Sequence, residues 1–272
     1  MSFDGQQEIA IFSQEFKQII FMDMGDFAHT IAHSLGFAAK SIPALLCLLS
    51  SIMLAAQSTP EGKNATLKIG HTPDFELRGD GSSPEWNKTG WVAVPQRGTS
   101  NVTYNTEMKV LYSDSGIYCI FRCEDKKITA TLKEDFADLY REDVVEVFFW
   151  PDESATVYFE YELSPLNYEL AIVVPNYNGN FFGWRPWHYE GERRTRHATN
   201  ISKKEGDATW TAEMFIPYAL LTPLIPGPPA KGDRWRANFY RLDYDNGNTR
   251  WAWQPVKTNF HEYQSYGTIV FD

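Results

Sequence analysis

Three glutamates lie in two neighbouring apolar segments of this sequence. Glu146 is in 144–150, and Glu160 and Glu162 are in 156–163. A polar or charged group in a buried strand costs about 2 kcal/mol or more unless it is paired or faces water or a ligand. Two carboxyl groups at a suitable separation can also hydrolyse glycosidic bonds. The pattern leaves three interpretations open: a solvent-facing sheet surface, a polar and aromatic ligand-binding platform, or a catalytic pair.

The elements that must position these carboxylates are strands. Segments 144–150 and 156–163 are rich in Val, Phe and Tyr and are separated by a short turn containing Pro and Ser, which is typical of a β-hairpin. Side chains alternate between the two faces of a strand, so Glu160 and Glu162 share one face. Hairpin pairing brings Glu146 to the same side of the sheet.

Similar short segments recur through the rest of the chain and indicate its fold class. Aromatic residues make up 15% of the sequence, and no long amphipathic helix is evident. We predict an all-β fold, a two-sheet antiparallel β-sandwich of the jelly-roll or immunoglobulin-like kind. Segment 58–100 is loop-like with only short strands, and 217–221 suggests one helical turn. The further predicted strands are 107–112, 117–123, 127–131, 168–174, 195–202, 209–216, 234–242, 249–253 and 267–271.

The beginning of the chain has a different character. Residues 42–56 are almost uniformly apolar and carry no charge, with Lys40 just before them and small residues near their end. This run is shorter than the roughly 20 residues that a spanning helix needs, and it is typical of a cleavable secretory signal peptide. An uncleaved anchor is the alternative. We therefore assign 1–57 to a signal segment with an over-extended start, and 58–272 to the domain of a secreted, periplasmic or cell-surface protein.

Charge and residue spacing exclude several classes of function. The formal net charge is −10, and no stripe of Lys and Arg is present, which argues against binding to nucleic acid or anionic membranes. Cys119 and Cys123 are four residues apart on a predicted strand, roughly 13 Å, which is too far for a disulfide. We expect both in the core. The spacing of Met and His residues does not support a haem site.

Three groups of residues, in order along the chain, resemble one known family. They are 75–81 followed by Trp86; the run 140–148, with Asp143 and Glu146 inside it; and Trp253-Gln254-Pro255 followed by Phe260-His261 and Tyr266-Gly267. Together they resemble the family 9 carbohydrate-binding modules and their stand-alone relatives, over most of 65–272. The resemblance implies a β-sandwich that binds the end of a sugar chain between two aromatic rings, and that often holds calcium.

The resemblance also implies site residues. The first ring falls on Tyr140, the second on Phe260 and the acidic residue on Glu146, while Glu160 stands where the family has an arginine. Aromatic faces bind the C–H faces of sugars, and charged groups bind their hydroxyls. Further candidates are Arg141, Trp184 and Trp187, although the loop aromatics can equally form a small core of their own. We expect non-catalytic carbohydrate binding in polysaccharide catabolism, with glycoside hydrolases as partners.

Two other functions remain open at this stage. One is a glycoside hydrolase that uses Glu146 with Glu160 or Glu162, and the other is an adhesion or structural module without sugar binding.

No cofactor is certain. A structural calcium ion is compatible with 243–248, which resembles part of a calcium loop but is primarily a predicted hairpin turn at Asn246-Gly247. The acidic neighbourhood of Asp135, Asp138 and Asp143 is a second location for calcium.

Overall fold

β-Strands are the main secondary structure of the residues that the computed structural model describes, which are 65–204, 206–245 and 247–272. The strands are β1 (Thr66–His71), β2 (Val92–Ala93), β3 (Gln96–Arg97), β4 (Thr106–Tyr112), β5 (Gly116–Asp125), β6 (Val144–Trp150), β7 (Val157–Leu163), β8 (Glu169–Tyr177), β9 (Asn180–Phe181), β10 (Arg185–Pro186), β11 (Arg196–Lys204), β12 (Asp207–Pro217), β13 (Arg234–Asp243), β14 (Thr249–Ala252) and β15 (Gly267–Phe271). The predicted signal segment, 1–57, lies outside the described residues.

Helical structure in the described part is limited to short segments. A four-residue α-helix, Tyr218–Leu221, matches the predicted helical turn. The 3₁₀ turns are Pro84–Lys88, Leu139–Arg141, Gly191–Arg193 and Tyr263–Ser265. Among the described residues, no helix is long and apolar enough to cross a membrane.

The strands follow one hydrogen-bonded path, β10-β8-β7-β6-β13-β15-β1-β4-β5-β12-β11. Strand β1 pairs in parallel with β15 through its first residues and with β4 through Gly70 and His71. It therefore joins a β10–β15 half to a β4–β11 half. The other pairs along the path are antiparallel, including β6 with β7 and with β13.

The two halves pack their inner faces against each other. Val147 and Phe149 of β6 belong to the same buried cluster as Cys119 and Phe121 of β5 and Met214 of β12. Burying each large apolar side chain stabilises the fold by about 1.5–3 kcal/mol. The nearly all-β fold confirms the predicted class, and the packing of the two faces is consistent with the predicted β-sandwich. Cys119 and Cys123 are free and buried, as expected.

Segment 58–100 contains short strands, as predicted, and the first of them is β1, Thr66–His71. One prediction about an individual segment was wrong. Residues 127–131 were predicted as a strand but form none, because carboxylates accept their backbone N–H groups. The Asp125 carboxylate accepts from Lys126 and Lys127 at 2.7 and 3.0 Å, and Asp143 accepts from Thr129 at 2.5 Å. The donors that a neighbouring strand would need are thus already satisfied.

Candidate functional site

The outer face of β6 and β7, opposite the main core, carries the three glutamates. The register places Glu146 opposite Glu162 and Phe148 opposite Glu160, as side-chain alternation predicts. The glutamates are only 2%, 3% and 1% exposed for Glu146, Glu160 and Glu162. Interpreting this face as a solvated sheet surface is therefore wrong.

A second apolar cluster and several loops cover this face and leave a cavity of about 330 Å³. Pockets for small ligands begin at about this size and combine apolar walls with a few placed polar groups. We call this space the glutamate cavity. The residues that line it are Tyr140, Glu146, Phe148, Glu160, Glu162, Ile172, Phe181, Trp184, Leu242, Tyr244, Asn248, Arg250, Asn259, Phe260 and His261.

The loop after β14 forms one wall of the cavity and is held by buried tyrosines. The hydroxyls of Tyr240 and Tyr266 donate to the Phe260 carbonyl oxygen at 3.0 and 3.1 Å. The Phe260 ring stacks on Tyr240, with 3.9 Å between centroids and 15° between planes. The Glu262 carboxylate accepts the backbone N–H of Lys257 at 2.9 Å. These contacts fix the position of Phe260.

Asp143 holds the segments that carry Tyr140 and Tyr244, which also line the cavity. Its buried carboxylate accepts the backbone N–H groups of Thr129 at 2.5 Å and of Tyr244 at 2.8 Å. The Tyr244 hydroxyl in turn donates to the backbone oxygen of Tyr140 at 2.6 Å. Burial raises the pKa of Asp143 to about 7. This chain of contacts joins the segment before β6 to the end of β13.

Aromatic rings occupy several sides of the cavity. Phe181 stacks on the His261 ring at 4.0 Å and 12°, although the Phe181 side chain is 43% exposed. Trp184 and Tyr140 are half-buried and pack against the second cluster, and Phe260 is buried. Rings of this kind can contact the C–H faces of a sugar.

The polar groups of the cavity differ in charge. Burial raises the pKa of Glu146 to about 8 despite the nearby Arg250 guanidinium. Burial raises the pKa of Glu160 and Glu162 as well, and the charge of Glu146 raises it further. Burial lowers the pKa of His261 to about 4. At neutral pH the cavity therefore contains carboxyl groups that hold protons, a neutral imidazole and a guanidinium, which together can donate and accept hydrogen bonds.

The structure brings five of the seven predicted site residues to the cavity: Tyr140, Glu146, Glu160, Trp184 and Phe260. The other two lie outside it. Arg141 is exposed and pairs with Asp138 at 3.0 Å. The Trp187 indole N–H donates to the Leu220 carbonyl oxygen at 2.9 Å, and its ring packs against the main core. The loop aromatics were expected either to bind sugar or to form a small core, and Trp187 has a core position.

Several cavity residues carried no predicted role, and Arg250 is the most important of them. The sequence resemblance places Glu160 where the family has an arginine. Arg250, from a different strand, brings a guanidinium to the same cavity. Its Nε donates to Asn248 Oδ1 at 3.0 Å, and both residues follow the turn between β13 and β14. In the sequence, the polar residues just after that turn could have indicated a site. Their closeness to Glu146, however, depends on the pairing of β6 with β13.

Acidic residues elsewhere offer metal ligands. Carboxylate oxygens of Asp125, Asp243 and Asp245 lie within 4.8 Å of one another. Oxygen ligands suit calcium, and Asp245 Oδ1 is buried without a hydrogen-bond partner. However, Arg241 already pairs with Asp125 and Asp243 at 3.1 and 2.6 Å. The donor set fits calcium in type, and calcium stays a prediction.

The second predicted calcium location has a different structure. Asp143 accepts two backbone N–H groups, and Asp138 pairs with Arg141. Asp135 accepts the backbone N–H of Glu169 at 3.1 Å. Within the described part of the chain, these three carboxylates do not form a ligand group like that of Asp125.

A known protein family matches most of this chain. The model of the carbohydrate family 9 binding domain-like family matches residues 79–272. No curated protein is similar enough in sequence to match this chain.

Several solved structures resemble the fold. A Bacteroides uniformis protein provisionally assigned as carbohydrate-binding has a TM-score of 0.64 at 14% identity, covering 77% of this chain and 100% of that one. A family 9 carbohydrate-binding module from Caldicellulosiruptor kristjanssonii in complex with cellotriose gives 0.54 at 12% identity, covering 76% and 94%. Its complex with glucose gives 0.55 at 13% identity, covering 76% and 96%. At these identities the likeness establishes the fold alone.

Proposed function

This chain belongs to the carbohydrate family 9 binding domain-like family, and on that premise we propose that it binds carbohydrate non-catalytically, with a sugar ring in the glutamate cavity. One observation carries the proposal. Aromatic rings and buried polar groups, which come from segments far apart in the sequence, meet around a single cavity. A sugar needs both, because its C–H faces pack on rings while its hydroxyls need hydrogen-bond partners.

The proposed contacts follow from the positions of the side chains. Tyr140 and Phe260 offer ring faces, and Trp184 extends the apolar wall. Glu146 and Arg250 hydrogen-bond hydroxyls of the bound ring. The complexes of the Caldicellulosiruptor module with cellotriose and glucose support carbohydrate as the ligand class.

We also propose a biological setting for this binding. The apolar run 42–56 acts as a signal for export, so that the protein works outside the cytoplasm, in the periplasm or at the cell surface. There it takes part in polysaccharide catabolism beside glycoside hydrolases. The resemblance to carbohydrate-binding modules and the leader-like sequence support this setting.

A glycoside hydrolase remains the second candidate, because Glu146, Glu160 and Glu162 all line the cavity. Hydrolysis needs two carboxyl groups that flank the scissile bond. Here the three glutamates lie side by side on one sheet face, which favours binding over cleavage. A reducing-end assay with the glycans that bind separates the two candidates, because product release would establish hydrolysis.

The test of binding is a glycan array followed by calorimetry on the full chain. We expect at least one glycan to bind, and Tyr140→Ala to weaken binding about tenfold through loss of a stacking contact. Glu146→Gln, which keeps the side-chain shape, should also weaken it. The matched control is Tyr177→Ala, because Tyr177 is 60% exposed and does not line the cavity. Failure to bind any glycan would leave the adhesion or structural alternative and overturn the proposal.

A further inference from the structure

The glutamate cavity has more acidic groups than nearby cations to balance them. Glu146, Glu160 and Glu162 line it, and Arg250 is the one Lys or Arg among the described residues that do so. Hydroxyl binding alone does not require three neighbouring carboxylates, each nine-tenths or more buried.

The excess of acid is concentrated on β7. Arg250 acts on Glu146, and its Nε and Nη1 also donate to Asn248 Oδ1 and the Thr258 carbonyl oxygen at 3.0 and 3.4 Å. By contrast, Glu160 and Glu162 form a side-chain hydrogen bond with each other, and the charge of Glu146 raises the pKa of both. Their nearest imidazole, on His261, has Nδ1 3.7 Å from Glu160 Oε2, beyond hydrogen-bonding distance.

Two buried atoms show that this part of the site is incomplete. The Oε2 atoms of Glu160 and Glu162 have no hydrogen-bond partner. Buried polar atoms in folded proteins nearly always have one, and an exception needs an explanation such as a missing ligand. Both residues line the cavity, so a ligand donor placed there would satisfy them.

The spacing of the carboxylates indicates what kind of donor this is. Within the described residues, the group whose carboxylate oxygens all lie within 4.8 Å is Asp125, Asp243 and Asp245, not the three glutamates. The glutamates are thus too spread to surround one small metal ion together. An ammonium group has three N–H donors and a full positive charge, and it can contact Glu160 and Glu162 while the ring that carries it reaches Glu146.

We propose that the glutamate cavity prefers a sugar that carries a free amino group, with its ammonium bound between Glu160 and Glu162. This inference rests on the proposed function and specifies its ligand class. The rings around the cavity contact the sugar, and the ammonium supplies a donor to the Oε2 atom of each glutamate. Charge-assisted hydrogen bonds of this kind are about twice as strong as neutral ones.

Binding of an ammonium should release protons from the protein. Burial and mutual repulsion raise the pKa of both glutamates, so they hold protons at neutral pH, and a bound ammonium can replace one of these protons. The titratable and charged groups that face the three carboxyls are Tyr158, Tyr240, Tyr244, Tyr266, Arg250 and His261. The tyrosines remain protonated at neutral pH because burial raises their pKa, and burial keeps His261 neutral.

The test is calorimetry on the full chain at neutral pH with four probes: glucose, N-acetylglucosamine, glucosamine and ethanolamine. We expect glucosamine to bind about tenfold more tightly than glucose, with a binding enthalpy that depends on the buffer because protons are released. N-acetylglucosamine lacks the charge and ethanolamine lacks the ring, so both should bind more weakly than glucosamine.

Variants locate the effect. Glu162→Gln and Glu160→Gln should each lower the ratio of glucosamine to glucose affinity. Glu134→Gln, at an exposed glutamate away from the cavity, should leave the ratio unchanged.

If glucose binds at least as tightly as glucosamine, the amino-sugar inference fails while carbohydrate binding stands. Ethanolamine binding as tightly as glucosamine would overturn it in favour of a general amine site. If no sugar binds, the proposed function itself fails.

Discussion

Phe181 and Phe182 are adjacent in the chain but have different surroundings. Phe181 stacks on His261 and lines the glutamate cavity, whereas Phe182 is 60% exposed and does not line it. Their side chains point in opposite directions, as successive side chains of an extended segment do. One ring can therefore contact a ligand in the cavity while its neighbour faces solvent.

This pair gives a direct comparison of two similar substitutions. Phe181→Ala should weaken binding of a monosaccharide about threefold to tenfold, since it removes an aromatic contact worth about 0.5–1.5 kcal/mol. Phe182→Ala should leave the dissociation constant unchanged. Calorimetry with the same ligand measures both dissociation constants. Equal losses of affinity in the two variants would show that Phe181 does not contact the ligand in the cavity.

At the scale of elements, β13 connects the two halves of the fold through Arg241. Its guanidinium donates to Thr106 Oγ1 of β4 at 3.0 Å and pairs with Asp125 of β5 at 3.1 Å. It also lies 4.6 Å from the centroid of the Trp251 ring. The same strand carries Tyr240, which supports Phe260 beside the cavity. The position of β13 thus matters to both the core and the candidate site.

Arg241→Met should destabilise the fold by about 3–5 kcal/mol, because it leaves the buried carboxylates of Asp125 and Asp243 without their cation. The control is Arg234→Met, at an exposed position of the same strand, which should change the free energy of unfolding by less than about 0.5 kcal/mol. Urea denaturation measures both variants. Equal stabilities would mean that another cation compensates these carboxylates.

The whole molecule should respond to pH through its buried carboxyl groups. Burial raises the pKa of Asp143 to about 7 and that of Glu146 to about 8, above their ordinary values of 3.8 and 4.5. Between the ordinary and the raised pKa, the folded state holds protons that the unfolded state has released. The stability from these protons is fully present below the ordinary pKa values and is lost as the pH rises through the raised ones.

We therefore expect the free energy of unfolding, without ligand, to fall as the pH rises from about 6.5 to about 8, which is above the range in which the lowered pKa of His261 has the opposite effect. Glu146→Gln should flatten this slope, because glutamine cannot ionise, and Glu134→Gln should not alter it. Chemical denaturation across this pH range measures the slope. A stability that increases over the same range would contradict the assignment of protonated carboxyls to the cavity.

The sequence alone determined the secondary structure of the site and the direction of its glutamates. Strands β6 and β7 are evident from their Val, Phe and Tyr content, and the two-residue period of a strand places Glu146, Glu160 and Glu162 on one face. The motif around Tyr140 and the position of Phe260 also carried the family resemblance. These are local properties, which a short stretch of chain specifies by itself.

Only the tertiary structure decided what surrounds that face. Arg250 and His261 are more than a hundred residues from Glu146 in the sequence, and the pairing of β13 with β6 and the loop after β14 bring them to the cavity. Trp184 and Trp187 look equivalent in sequence, yet one lines the cavity and the other packs in the core. Burial of the glutamates likewise depends on these distant segments, because desolvation is produced by whatever packs over a residue and not by its own strand.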